Sequence, residues 1–130
     1  MQAAYRLTLA TFALLALCAC SRGAADTGEV SREQLFAAQG GADRPFVLDV
    51  RTPEEFASGH VPGARNIPID ELASRTGELE AQRQREVVVY CERGSRARKA
   101  ADALVAAGFT DVKLLAGHMS GWRDAGLPTE

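Results

Sequence analysis

The sequence has 130 residues, with 15 basic and 17 acidic side chains, a formal net charge of −2 and 46% hydrophobic residues. This length fits one domain, and the balance of apolar and charged residues is typical of a globular chain, which excludes a disordered or fibrous protein. The slight acidic excess argues against nucleic acid as a partner, because domains that bind phosphate backbones carry a clear basic excess.

The N-terminus has the pattern of an export signal. Residues 1–6 carry one positive charge, and Leu7–Leu17 is a continuous run of apolar residues and threonine. As a helix this run would reach about 16 Å, or about half of a bilayer core, so it is too short for a permanent membrane span. The pattern predicts a secretory signal peptide over residues 1–19, with a buried N-terminal helix as the alternative.

Two cysteines end this signal, in the string Leu17-Cys18-Ala19-Cys20. The string resembles the lipobox of bacterial lipoproteins, which implies that Cys20 becomes the acylated first residue of the mature chain. Several acyl chains would hold it stably on the periplasmic side of a bacterial membrane. Ser21 after the acceptor is compatible with sorting to the outer membrane. Ordinary cleavage, giving a soluble periplasmic protein, remains the alternative.

The rest of the chain alternates between short apolar runs and helical patterns. Residues 20–28 are small and polar and predict a tether, followed by one domain over residues 29–130. The predicted strands are 46–50, 64–67, 87–90 and 112–115, and the predicted helices follow Ser31 and Thr52, cover 70–75 and 97–105, and surround Trp122. Strands that alternate with helices predict an α/β fold with a parallel sheet covered on both faces.

Two of the helix starts carry a specific signal. Ser31 with Gln34, and Thr52 with Glu55, have the spacing of a capping box, and Pro53 fits the first helical position. The helix over 70–75 has a weaker start and is predicted to end near Gly77.

The segment with the clearest candidate for chemistry follows the predicted strand over 87–90. It reads Cys91-Glu92-Arg93-Gly94-Ser95-Arg96. Ligands bind at the carboxyl ends of strands in parallel sheets, and the following helix N-terminus and two arginines favour the thiolate form of Cys91. Gly94 lets backbone N–H groups turn inward around an anion. A buried core cysteine is the alternative, but it requires neither the glycine nor the arginines.

These residues and several others together resemble the rhodanese-like domain family, and the resemblance covers residues from about 29 to 128. The strings that carry it are Asp49-Val50-Arg51, Glu54-Glu55-Phe56, Gly59 to Ala64, Asn66-Ile67-Pro68 and Cys91-x-x-Gly94-x-Arg96. Within the family, the sequence most resembles the small single-domain periplasmic thiosulfate sulfurtransferases. The resemblance implies a central, mostly parallel five-stranded sheet with helices on both faces. One departure is Gly117-His118, where the family more often has two glycines.

The resemblance also implies an activity. A sulfane-sulfur donor such as thiosulfate would give its outer sulfur to Cys91, and the resulting persulfide would pass that sulfur to cyanide or a thiol, with no metal or organic cofactor. The residues implied to bind the substrate are Glu92, Arg93, Gly94, Ser95 and Arg96. Arg98 and Lys99 are expected to face solvent on the helix.

Loop length disfavours a phosphatase. The related dual-specificity phosphatases have a cysteine, five residues and then an arginine, whereas Arg96 follows Cys91 after four residues. A non-catalytic binding module and a thiol-dependent reductase, for example of arsenate, remain as alternatives. The reductase would need an external thiol, because Cys91 is the only free thiol once Cys20 is acylated.

The other candidate residues have structural interpretations. Asp49 and Arg51 are predicted to order the end of a strand, and His60 is predicted to be a hydrogen-bonded histidine in a turn. His118 has no partner at the spacing of a metal site, so no metal is expected. Trp122 is predicted to pack in the core or against the C-terminal segment.

Overall fold

The computed structural model describes residues 26–130. The predicted signal peptide over 1–19 and the predicted lipid acceptor Cys20 lie outside the described residues. None of the helices within 26–130 combines the length and the hydropathy that a membrane span requires.

Five strands and five α-helices make up this part of the chain. The strands are β1 Asp26–Val30, β2 Phe46–Asp49, β3 Arg65–Asn66, β4 Glu86–Tyr90 and β5 Asp111–Leu115. The helices are α1 Arg32–Ala38, α2 Pro53–Ala57, α3 Ile69–Arg75, α4 Ser95–Ala106 and α5 His118–Asp124, and a 3₁₀ helix covers Thr76–Gln82.

The strands form one sheet in the order β1-β5-β4-β2-β3, and every neighbouring pair is parallel. Asp49, at the end of β2, is in register with Tyr90 at the end of β4. The segments that follow these two strands therefore leave the sheet side by side at its carboxyl edge. The predicted α/β fold with a five-stranded parallel sheet is confirmed.

Helices cover both faces of the sheet, as predicted. Side chains of β4 alternate between the two faces: Val87 and Val89 pack in one core, and Val88 and Tyr90 pack in the other. The first core is closed by buried residues of α3, α4 and the 3₁₀ helix, and the second by buried residues of α1 and α5. Trp122 of α5 is fully buried in the second core, and its indole N–H donates to the carbonyl of Pro128 at 2.8 Å.

The structure corrects the predicted start of the domain. Residues 26–28 lie within the predicted tether over 20–28, yet they belong to β1, where Asp26 pairs with Asp111 and Gly28 with Lys113. The sequence Asp-Thr-Gly has little intrinsic strand preference. It becomes a strand because the edge of β5 offers backbone partners, which is a tertiary effect without a local sequence signal.

The helix starts agree with the predicted capping boxes, and one helix end differs. Ser31 and Gln34 exchange hydrogen bonds of 3.0 and 3.1 Å, and Thr52 and Glu55 exchange bonds of 2.9 and 3.2 Å. The helical turn predicted to end near Gly77 continues as the 3₁₀ helix to residue 82. Leu79 is fully buried in this stretch, so tertiary packing keeps the chain helical beyond the glycine.

Candidate active site

Cys91 lies directly after β4, in the loop that connects this strand to α4. Its residue is 1% exposed, and its Sγ accepts a hydrogen bond of 3.0 Å from the backbone N–H of Gly94. Gly94 has a φ of 121°, a backbone conformation that residues other than glycine rarely adopt. This turn brings an amide back onto the sulfur at the N-terminus of the 12-residue helix α4, where unpaired N–H groups and the helix dipole favour negative charge.

Two backbone hydrogen bonds connect helix α5 to the start of this loop. The backbone N–H of Met119 donates to the carbonyl of Cys91 at 3.0 Å, and the N–H of Ser120 donates to the carbonyl of Glu92 at 3.2 Å. Because these two carbonyls are bound by α5, the start of the loop has a fixed orientation relative to the sheet.

The predicted pair of Asp49 and Arg51 lies beside the loop and is almost fully buried. The Nε of Arg51 is 3.0 Å from both carboxylate oxygens of Asp49, and its Nη2 is 2.7 Å from Oδ2. Nη2 also donates to the carbonyl of Gly59 at 2.9 Å. Burial lowers the pKa of Arg51, but the hydrogen bonds and the charge of Asp49 outweigh it, so the pKa of Arg51 is raised and its guanidinium stays protonated.

Glu92, predicted to bind substrate, is turned toward two arginines of the protein. Its Oε2 lies 3.5 Å from Nη1 of Arg51, and its Oε1 accepts a hydrogen bond from Arg123. The carboxylate therefore connects the buried pair to α5, and its charge is balanced within the protein. This placement gives Glu92 a supporting role in the structure.

Arg96, also predicted to bind substrate, is bound by Glu55 of α2. Its Nη1 and Nη2 donate to the two carboxylate oxygens at 2.6 and 2.9 Å. The hydrogen bond from Arg96 lowers the pKa of Glu55 to about 2, and the same bond raises the pKa of Arg96. An anion at the loop would meet a guanidinium that already carries a counterion.

Two other cations near the loop are exposed and form no ion pair with any residue in 26–130. One is Arg93, which was predicted to bind substrate. The other is Arg98, whose Nη1 lies 3.5 Å from the position that a Cβ on Gly94 would take. Arg98 is exposed to solvent, as expected, but its guanidinium also lies against the loop. Ser95, the first residue of α4, is exposed and makes no side-chain hydrogen bond to a described residue.

His60 lies in the turn that follows α2. Its ring stacks on Phe56 with centroids 3.6 Å apart, and its Nδ1 is 2.9 Å from the carbonyl of Phe56. The backbone of His60 also exchanges two hydrogen bonds of 3.0 Å with Glu130. These contacts stabilise the turn in which the Gly59 carbonyl accepts a hydrogen bond from Arg51, so His60 has a structural role.

Sequence reasoning missed several residues of this region. Glu55 was identified as a helix-capping residue and as part of the string Glu54-Glu55-Phe56, but nothing local indicated that its carboxylate reaches Arg96, 41 positions away. Asn66 donates from one side-chain nitrogen to the carbonyls of both Asp49 and Arg51, at 3.0 and 2.9 Å. His118, set aside for want of metal partners, packs against Gly94. Among the described residues no cluster of side chains has the arrangement of a metal site.

Comparisons with known proteins agree with this geometry. A family model described as "Rhodanese-like domain" matches residues 31–125. "Thiosulfate sulfurtransferase 16, chloroplastic" of Arabidopsis thaliana is 38% identical over 98 residues, which cover 64% of this chain and 78% of the relative. A "Sulfurtransferase" of Allochromatium vinosum is 32% identical over 100 residues, which cover 77% and 92%.

Among solved structures, a rhodanese-related protein from Thermoplasma volcanium superposes with a TM-score of 0.69 at 29% identity, covering 79% of this chain and 97% of that one. The family match extends over most of the chain and includes the strand, loop and helix that carry Cys91. The chain belongs to the rhodanese-like domain family.

Proposed function

We propose that the protein is a sulfurtransferase that moves a sulfane sulfur from thiosulfate, or a similar anionic donor, to cyanide or a thiol through a persulfide on Cys91. The observation that carries the proposal is the sulfur of Cys91 at the carboxyl end of β4, with the Gly94 amide 3.0 Å from it. Similarity to proteins named sulfurtransferases supports the same activity.

The reaction consists of two displacements at sulfur. The Cys91 thiolate attacks the outer sulfur of thiosulfate, the sulfur–sulfur bond of the donor breaks, and sulfite leaves with the electron pair. Cys91 then carries one additional sulfur as an anionic persulfide. In the second step cyanide or a thiolate attacks this outer sulfur, and Cys91 leaves as the thiolate, so the cycle needs no external oxidant or reductant.

The loop is suited to this charge. The Gly94 amide and the N-terminus of α4 provide fixed positive dipoles around the sulfur, and such groups stabilise an anion without having to reorganise. The 1% exposure of Cys91 protects the persulfide from bulk solvent between the two steps. The exposed guanidinium groups of Arg93 and Arg98 attract the donor anion at the mouth of the site.

The test is the formation of thiocyanate from thiosulfate and cyanide by the purified protein. Cys91→Ser should reduce turnover to the uncatalysed rate while the far-UV circular dichroism spectrum stays unchanged. Equal turnover by Cys91→Ser and the unmodified protein would contradict the proposal.

The donor-binding part of the proposal has its own control. Arg93→Ala and Arg98→Ala should each raise KM for thiosulfate by about fivefold, the loss expected for one partly screened charge interaction of about 1 kcal/mol. Lys99→Ala removes another exposed cation of α4 and should leave KM unchanged. Equal effects of all three substitutions would show a general field effect instead of specific binding.

We also propose that the mature protein is anchored to the membrane by lipid on Cys20. The support is the string Leu17-Cys18-Ala19-Cys20, which resembles a lipobox. In cells, Cys20→Ala should move the protein from the membrane fraction to the soluble fraction and abolish incorporation of labelled fatty acid. Cys18→Ala is the matched control and should change neither result. Fatty acid incorporation that persists in Cys20→Ala would contradict the anchor.

A further inference from the structure

His118 occupies a backbone conformation that is unusual for its type. Its φ is 52°, and it is the one residue other than glycine in the described range 26–130 with a positive φ. The preceding Gly117 has φ of 75°, so the chain makes two successive left-handed residues as it enters α5. Left-handed backbone is costly for a residue with a side chain and persists only where the surrounding structure enforces it.

The side chain of His118 is directed at the loop of Cys91. A Cβ built on Gly94 would lie 2.7 Å from Nε2 and 3.1 Å from Cδ2 of His118, so the imidazole fills the space beside Gly94. The next two residues, Met119 and Ser120, donate their N–H groups to the carbonyls of Cys91 and Glu92. The first turn of α5 therefore contacts the loop at three points, and His118 supplies the contact with Gly94, the residue whose N–H reaches the sulfur.

The imidazole is also more deeply buried than its polarity favours. The residue is 6% exposed, and its Nδ1 is buried without a hydrogen-bond partner among residues 26–130. An unpaired buried nitrogen costs stability, as does the left-handed backbone. Burial, and next the charge of Arg98, lower the pKa of His118, whereas Glu29 acts in the opposite direction. The ring packed on Gly94 is consequently the neutral form near neutral pH.

We propose that His118 is a positioning residue: it packs on Gly94, keeps the backbone N–H of Gly94 directed at the sulfur of Cys91, and so sets the reactivity of that sulfur. In this chain the imidazole fills the space beside Gly94, next to the guanidinium of Arg98, and a shorter side chain at position 118 would leave that space empty. Gly94, with no side chain, can rotate away unless something fills the space beside it. This role concerns the thiolate of Cys91 itself and holds whether or not the acceptor and donor under Proposed function are correct.

The experiment measures the rate at which iodoacetamide alkylates Cys91 in the full protein as a function of pH. His118→Asn tolerates the left-handed backbone but does not reach Gly94. It should slow alkylation at mildly acidic pH by about tenfold, the effect of weakening one hydrogen bond to a charged group, and should move the pH profile toward alkaline values. An unchanged rate and profile would overturn the proposal.

A second substitution separates packing on the loop from general damage. His118→Phe restores a ring beside Gly94 and should return the alkylation rate to within about twofold of the unmodified protein. A folded His118→Phe protein that is as slow as His118→Asn would overturn the packing role. His118→Gly, which suits the backbone and also lacks the ring, should be as slow as His118→Asn, and a rate equal to that of the unmodified protein would again overturn it.

Alkylation uses no sulfur donor, so this test and the thiocyanate assay can fail independently. A protein that forms no thiocyanate but shows slow alkylation in His118→Asn would retain the role of His118 and lose the proposed transfer reaction. Normal sulfur transfer with no change in alkylation among the three variants would give the opposite result.

Discussion

The ion pair between Glu55 and Arg96 allows a sharp test of how charge is distributed at the loop. Glu55→Gln removes the negative charge but keeps the side-chain length, and glutamine at this position still forms a capping box with Thr52. The substitution therefore leaves the start of α2 intact and frees the Arg96 guanidinium. We expect the freed guanidinium to strengthen binding of an anionic donor near Cys91.

The magnitude follows from the exposure of the two groups. The side chains of Arg96 and Glu55 are 31% and 33% exposed, so solvent screens the pair strongly. A partly exposed pair contributes about 1 kcal/mol, and redirecting that interaction to a bound anion lowers KM for thiosulfate by about fivefold. The free energy of unfolding should fall by about the same amount.

The assay is the dependence of thiocyanate formation on thiosulfate concentration, measured at low and at high salt. The fivefold gain should shrink at high salt, because screening weakens the freed charge. Glu54→Gln is the matched control, since Glu54 is exposed in the same helical turn and forms no ion pair with a described residue. A KM that is unchanged in Glu55→Gln, or lowered equally in Glu54→Gln, would refute the reasoning.

The pair also predicts a pH dependence of stability. Because the folded pKa of Glu55 is lowered to about 2 by the hydrogen bond from Arg96, the pair's contribution to stability is complete above the ordinary value of 4.5 and is lost as pH falls toward 2. Assays near neutral pH therefore observe the ionised carboxylate throughout.

Three further predictions concern the buried pair of Asp49 and Arg51 and the contact between Gly94 and His118. Asp49→Asn leaves the buried Arg51 without its counterion and should lower the free energy of unfolding by about 3 kcal/mol in denaturant titrations; an unchanged midpoint would contradict the structural role of the pair. Gly94→Ala places a Cβ 2.7 Å from Nε2 of His118 at a φ of 121°, and should slow alkylation of Cys91 and destabilise the fold by about 2 kcal/mol. Burial lowers the pKa of His118 in the folded protein, so as pH falls below about 6.5 this residue takes up a proton in the unfolded chain before it does so in the folded protein. The free energy of unfolding should therefore decline below this pH. An equal decline with pH in His118→Asn would show that another group is responsible.

The general architecture could be read from the sequence because its signals are local. The run of Val87 to Tyr90 indicates a buried strand by its composition alone, and the capping boxes at Ser31 and Thr52 mark helix starts by their spacing. Gly94 and Cys91 point to an anion-binding site for the same reason, since the glycine lets neighbouring N–H groups turn inward and the helix that follows favours the thiolate.

What could not be predicted depends on contacts between distant parts of the chain. The strand over residues 26–30 forms only because β5 lies beside it, 85 positions later in the register of Asp26 with Asp111. The sequence shows that Glu92 and Arg96 are charged, but it does not show which residues they pair with. Their partners, Arg123 and Glu55 respectively, come from the helices α5 and α2. The site therefore differs from the prediction mainly in which cations are left for a substrate.

His118 is a different kind of omission. The sequence shows that the second glycine of the family's usual pair is replaced, but only the fold shows that the new side chain lies on Gly94. A histidine examined solely for metal partners could not indicate this role.

The most direct test of the central claim is the intact mass of the purified protein after incubation with thiosulfate. We predict a gain equal to one sulfur atom, absent in Cys91→Ser, that is removed by cyanide with formation of an equal amount of thiocyanate. A protein whose mass does not change with thiosulfate, or whose gain persists in Cys91→Ser, would contradict sulfur transfer through a persulfide on Cys91.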